Sequence, residues 1–161
     1  MNREGRHKVY LGLGSNLGDR NANLERSIAL IHERVGEVVR RSSFIETEPW
    51  GFQSKNAFLN AVILCETTLT PREVLKATKK IERELGKTRV HATRRKNSSL
   101  FTLHSSLYKD RPIDIDILLY DDLHIDTPTL KIPHPLMQER DFVMIPLREI
   151  CLTYADPEPS R

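Results

Sequence analysis

The sequence predicts an α+β fold with the element order β-α-β-β-α-β. Three observations predict it. The stretch Arg111-Pro112-Ile113-Asp114-Ile115-Asp116-Ile117-Leu118-Leu119-Tyr120 alternates strictly through Ile117, as a half-buried strand should. Two helix-period stripes, Leu24, Ile28, Ile31, Val35 and Val74, Thr78, Ile81, Leu85, each stand between strand patterns. No internal repeat or linker divides the 161 residues, so a single domain over 1–161 is expected.

In chain order, Lys8 to Gly14 reads as a strand with Val9, Leu11 and Leu13 on one face. Gly14-Ser15-Asn16-Leu17-Gly18 is a turn into the first helix, and Gly36 is placed to stop that helix. Val38 to Thr47 alternates as one continuous second strand, broken by Pro49-Trp50-Gly51. Ala57 to Thr67 is a third strand, apolar on both faces. Thr70-Pro71-Arg72-Glu73 combines a capping box with Pro at the first helical position. The helix it starts is expected to end at Gly86, with a long loop from Lys87 to Asp110. Strand four is Ile113 to Tyr120, Asp121-Asp122 turns, and the tail from Asp156 is expected to fray. The order is ferredoxin-like: an antiparallel sheet with helices on one face and long loops.

Hydrophobic residues make up 39% and charged residues 29%, which suits a soluble globular protein. No apolar run approaches the ~18 residues of a membrane span, and Met1 to Lys8 has no signal-peptide core. Cys65 and Cys151 lack metal-type spacing and read as free thiols in a reducing cytoplasm. Charge is segregated: residues 72–111 carry a net +8 and residues 112–161 a net −6. A basic segment running into an acidic strand suits a metal-bound polyphosphate. A solvated basic helix and loop is the plainer reading.

Asp114 and Asp116 share one face of their strand, ~7 Å apart by the rise per residue. Two such carboxylates among apolar neighbours are costly without a counter-ion, and Mg²⁺ would supply one. A strand with one solvated face is the alternative. Gly12-Leu13-Gly14-Ser15-Asn16-Leu17-Gly18 has neither the dinucleotide spacing nor a Walker lysine, so a turn with permissive glycines fits better. Asn60, within an apolar strand, needs amide partners: a sheet neighbour, or the edge of a heterocycle that Thr47 also faces. Phe58 and Phe142 are either core residues or a sandwich for a flat ring. His134 stands between two prolines, and no histidine pair has zinc spacing.

Taken in order, several motifs resemble the 6-hydroxymethyl-7,8-dihydropterin pyrophosphokinase family of folate biosynthesis. They are Gly14-Ser15-Asn16-Leu17-Gly18, Ser42-Ser43-Phe44 to Thr47-Glu48-Pro49, and Phe58-Leu59-Asn60-Ala61. Arg111 with Ile113 to Ile117, and Pro133-His134 followed by Arg140 and Phe142, complete the set, which spans about Val9 to Pro157. The resemblance implies transfer of the β,γ-pyrophosphate of ATP to the pterin hydroxymethyl group, releasing AMP. It implies that Asp114 and Asp116 hold two Mg²⁺ ions. It implies pterin contacts from Thr47, Trp50, Phe58, Asn60 and Phe142. ATP contacts are implied for Glu82, Arg89, Tyr108, Arg111, Ile117, His134 and Arg140, with Arg89 and Arg111 as a loop-borne, catalytic clamp. The expected partners are ATP and the pterin, without nucleic acid or membrane, in a cytoplasmic monomer or weak dimer. Departures from the family pattern are Pro112, Lys87 for an arginine, Pro135, and the length of the 87–110 loop, where Arg94, Arg95 or Lys96 compete with Arg89. The rival readings are an RNA-binding module and a small-molecule regulatory domain of the same topology.

Overall fold

The structure is a computed structural model that describes residues 5–47, 57–93 and 112–151, and in 87–93 only the backbone. Its elements are β1 (His7–Ser15), α1 (Arg20–Arg34), β2 (Glu37–Arg41), β3 (Ile45–Thr47), β4 (Phe58–Thr67) and α2 (Pro71–Thr93). They continue with β5 (Asp114–Tyr120), β6 (Ile125–Asp126), β7 (Lys131–Ile132), a short 3-10 turn at Met137–Glu139, and α3 (Asp141–Ile150). The main sheet runs β2-β4-β1-β5, with β3 also on β4 and every pairing antiparallel. The ferredoxin-like order read from the sequence is the observed one.

One face of the sheet is the main core. Val9, Leu11, Leu13, Ala61, Ile63, Cys65, Ile113, Ile115 and Ile117 meet the α1 stripe and the α2 stripe there. The turn before α1 is held from inside. Asn23 Nδ2 donates to Leu17 O at 2.8 Å and to Ser15 Oγ at 3.2 Å, Gly18 takes φ of 69°, and Asp19 accepts from Ala22 N–H. The expected capping box of α2 is present in both directions: Thr70 N–H donates to Glu73 at 2.9 Å and Glu73 N–H to Thr70 Oγ1 at 3.2 Å.

Three expectations are revised. The second strand is not continuous but breaks at Ser42-Ser43-Phe44. There the Ser42 hydroxyl accepts from Val62 N–H at 2.9 Å, standing in for a ladder carbonyl. The Glu149 carboxylate of α3 then takes both the N–H and the hydroxyl of Ser43. Gly86 does not end α2, which runs on to Thr93; no positive φ or crowding calls for glycine there. Residues 87–93 therefore belong to a helix, and the rest of the expected loop, 94–110, lies outside the described residues.

The third revision is an unexpected helix, α3, on the opposite face of the sheet. Val143, Met144, Leu147 and Ile150 pack on Val62, Leu64, Leu118 and Leu119. Pro146 stands inside it and removes one helical N–H, at about 3 kcal/mol. Four buried apolar side chains at roughly 1.5–3 kcal/mol each outweigh that cost. Among the described residues, no helix is long and apolar enough to cross a membrane.

Gly36 stops α1 where expected, but for a different reason. Its φ is not positive; rather, a Cβ there would lie 2.1 Å from Glu66 O of β4. Gly36→Ala should therefore lower the stability by about 1–3 kcal/mol through overpacking against backbone. Denaturant melts of the two proteins would show it, and unchanged midpoints would refute the close-approach argument.

Candidate active site

The face that α3 leaves open carries the site. Register fixes its layout. Asp114 pairs with Gly14 of β1, and Gly14 pairs with Asn60 of β4. One row further along, Asp116 pairs with Gly12, which pairs with Val62. Residues in one row of an antiparallel sheet point to the same side. The carboxylates thus stand two strands from the Asn60 amide, ~10 Å by the strand spacing. Between them the central strand offers only glycine. A Cβ on Gly14 would press on Asn60 Oδ1 at 3.1 Å and on the Phe58 ring at 3.4 Å. A Cβ on Gly12 would touch Leu118 at 3.4 Å. Both glycines lie in the strand, as the reading of Lys8 to Gly14 has it, and they form a trough floor without side chains, against which Leu118, Asn60 and Phe58 pack closely.

On the far side of the trough, Asn60 is buried and donates through Nδ2 to Thr47 Oγ1 at 2.8 Å. That bond orients the amide, so both groups present a fixed donor-acceptor edge. Phe58 stands on the same face of β4, one row beyond Asn60. Arg20 stabilises this end: it donates to Ala57 O at 2.9 Å and pairs with Glu46 at 3.3 Å. It thereby ties together the residues that precede Phe58 and Thr47.

On the near side, Glu82 of α2 accepts from Ile115 N–H at 2.8 Å. This backbone group lies between the two aspartates, on the edge of β5 that no strand among the described residues covers. Lys79 pairs with Glu82 at 3.1 Å. Two unit charges ~7 Å apart repel by roughly 2 kcal/mol at an effective dielectric near 20. Burial, then Asp114, then Glu82 push the Asp116 carboxyl up to about 7. Burial is also the largest cause raising Glu82, against the pull of the Ile115 N–H.

The remaining residues border the trough from the α3 side. His134 donates its N–H to Leu118 O at 3.0 Å, and its Nδ1 accepts from Leu136 N–H at 3.3 Å. Burial, and then Arg140, lower its pKa. The ring is therefore neutral at pH 7, with its proton on Nε2. Arg140 lies over the Phe142 ring at 5.6 Å, just where α3 begins. The Ile117 side chain is packed in the main core, which leaves only its backbone for a ligand. Arg89 is carried by the last turns of α2 rather than by a loop, and its side chain is not described. Trp50, Tyr108, Arg111, Arg94, Arg95 and Lys96 lie outside the described residues.

The structure thus defines a class: a ferredoxin-like α+β domain with a carboxylate-lined trough across one face of its sheet. The particular family follows from comparison. The chain belongs to the 7,8-dihydro-6-hydroxymethylpterin-pyrophosphokinase (HPPK) family, whose sequence model matches residues 10–152. It is 45% identical over 144 residues to the 2-amino-4-hydroxy-6-hydroxymethyldihydropteridine pyrophosphokinase of Porphyromonas gingivalis, covering 89% of this chain and 90% of that one. The enzyme of the same name from Bacillus subtilis is 40% identical over 144 residues, 89% of this chain and 77% of that one. In structure it is similar to wild-type Plasmodium falciparum HPPK-DHPS, with a TM-score of 0.62 at 15% identity. That match covers 89% of this chain but spans only 38% of the longer Plasmodium chain.

The Asp116 carboxyl carries a prediction with a definite sign. An unfolded aspartate loses its proton near pH ~4, whereas the folded one holds it until about 7. Its penalty to the folded state is therefore absent below the first value, grows between the two, and is complete above the second. In EDTA, Asp116→Asn should melt above wild type at pH 8, and the gap should shrink towards pH 5. Relief of the repulsion between Asp116 and Glu82 adds to that gap with the same sign. A constant or reversed gap in thermal melts would contradict the buried-carboxylate account.

Proposed function

We propose that the row Asp114, Gly14, Asn60 is the path along which the family's reaction runs. The reaction is transfer of the β,γ-pyrophosphate of ATP to the hydroxymethyl group of 6-hydroxymethyl-7,8-dihydropterin, a step of folate biosynthesis. The chain is a diphosphokinase of this kind, with ATP as co-substrate. What carries the site reading is the register itself: paired carboxylates and an oriented amide face each other across a floor without side chains.

Asp114 and Asp116 would hold Mg²⁺. Among the described residues no group of three or more His, Cys, Asp or Glu surrounds a metal position. The two aspartates suit Mg²⁺, which takes one or two carboxylates and completes its octahedron with water and phosphate oxygens. Bound with ATP, the metal supplies neutralisation of phosphate charge and polarisation of the transferred phosphorus. Asn60 and Thr47 would bind the pterin edge, with Phe58, Phe142 and Trp50 around the ring. His134 would donate from Nε2, and Arg140, Arg89, Arg111 and Tyr108 would line the ATP side. Glu82 fixes the backbone between the aspartates, and the outward backbone of Ile117 continues that edge.

With both substrates held, the pterin hydroxyl oxygen attacks the β-phosphorus and gives up its proton. The bond from the β-phosphorus to the oxygen bridging it to the α-phosphorus breaks, and AMP leaves with that oxygen. No covalent enzyme intermediate is needed, because positioning and electrostatics dominate phosphoryl-type transfer. The missing side chain at Gly14 lets the Asn60 amide and the Phe58 ring lie close against β1.

Asp114→Ala and Asp116→Ala should each lower turnover by at least about 1,000-fold with the fold intact by circular dichroism. Product analysis by mass spectrometry should show AMP and pterin diphosphate in equal amounts with wild type. Near-normal rates in either variant would sink the metal assignment, and ADP as product would replace the reaction. Gly14→Ala should raise the KM for the pterin about tenfold, from overpacking against Asn60 and Phe58. The KM for ATP should change far less; equal changes in both would remove the floor from the pterin site.

A further inference from the structure

Lys79 is given no contact with a substrate, yet it is ion-paired to the acidic wall of the trough. It lies on α2 one turn before Glu82, and its ammonium meets Glu82 Oε1 at 3.1 Å. Glu82 in turn grips Ile115 N–H between the two aspartates. The ammonium is attracted to Asp114 and Asp116 as well as to Glu82. Arg140 attracts Asp116 more strongly than Lys79 does, but from the α3 side, where its guanidinium lies over Phe142. Three carboxylates therefore share a wall to which one lysine is tied by a direct ion pair. That lysine is half exposed, so its flexible stem can swing aside.

We propose that Lys79 is a resident counter-cation of the trough: it keeps the nucleotide-free site from gathering divalent ions, so that the metal enters with the ATP phosphates. The inference rests on the reading of Asp114 and Asp116 as metal ligands. A fixed positive charge within several ångströms of a cation site weakens that site by simple Coulomb repulsion. It also relieves the mutual repulsion of the carboxylates while the trough is empty. When metal and phosphates arrive together, the phosphates cancel most or all of the metal's charge, so Lys79 opposes them far less. Lys79 is thus a positioning residue for charge, and it makes no bond to the reacting atoms.

The test is Mn²⁺ binding to nucleotide-free protein, followed by electron paramagnetic resonance. Wild type should bind weakly. Lys79→Gln should bind at least about threefold more tightly, whereas Lys79→Arg, which keeps the charge, should match wild type. The same variants should bind Mn²⁺ equally well when ATP is present. Asp116→Asn separates the two ideas. If it leaves Mn²⁺ binding unchanged, the metal reading itself fails. If it abolishes binding but Lys79→Gln does not tighten it, only the role of Lys79 is overturned. Absence of Mn²⁺ binding in wild type and Lys79→Gln alike would overturn it too.

Discussion

The register of β1 is the constraint on which the rest of the molecule depends. This strand is paired over nine residues with β4 and over most of its length with β5. Its odd positions, Val9, Leu11 and Leu13, fill the core, while Gly12 and Gly14 face the other way. A slip of one residue would turn the leucines into the trough and the glycines into the core. It would also move Asp114 off the row it shares with Asn60. Core burial on one face therefore enforces the layout of the proposed site on the other. The carboxylates need no separate device for aligning them with the amide.

What was legible in the sequence follows the range of the interactions. The aspartate pair stands out because strict alternation with isoleucine is a local pattern that only a strand satisfies. The capping box at Thr70 and Glu73 is closed within four residues, so it too reads directly. The break at Ser42 could not be read, because it depends on Val62 from another strand and on Glu149 from α3. Gly36 was placed correctly from a rule about positive φ, although the operative contact is with Glu66 O. α3 was missed because Pro146 interrupts it, and only contact with the sheet makes that tolerable. The glycine floor has no signature of its own: Gly12 and Gly14 matter through what lies beside them in the sheet.

The site residues that were legible divide in the same way. Asn60 was singled out as a polar group in an apolar run, and its bond to Thr47 is the satisfaction such a group requires. Ile117 was picked as part of a motif, but its side chain belongs to the core. Lys79 and Arg20 were invisible, since exposed cations on helices are common and their meaning lies in partners far away in sequence. Lys79 acquires that meaning from Glu82 and β5, and Arg20 from the ends of β3 and β4.

The second face of the sheet shows why stability and function can coexist in so small a protein. Its lower part is closed: α3 covers Val62, Leu64, Leu118 and Leu119. Its upper part carries the acidic trough, which opposes folding because burial and mutual repulsion hold Asp116 and Glu82 above their ordinary range. The boundary between them falls at His134 and Arg140, where α3 begins. A longer α3 would bury more apolar surface but would roof the trough. A shorter one would free the trough but uncover the second core. The helix start at Asp141 thus divides one sheet face between packing and chemistry, and the main core beneath carries the cost of the division.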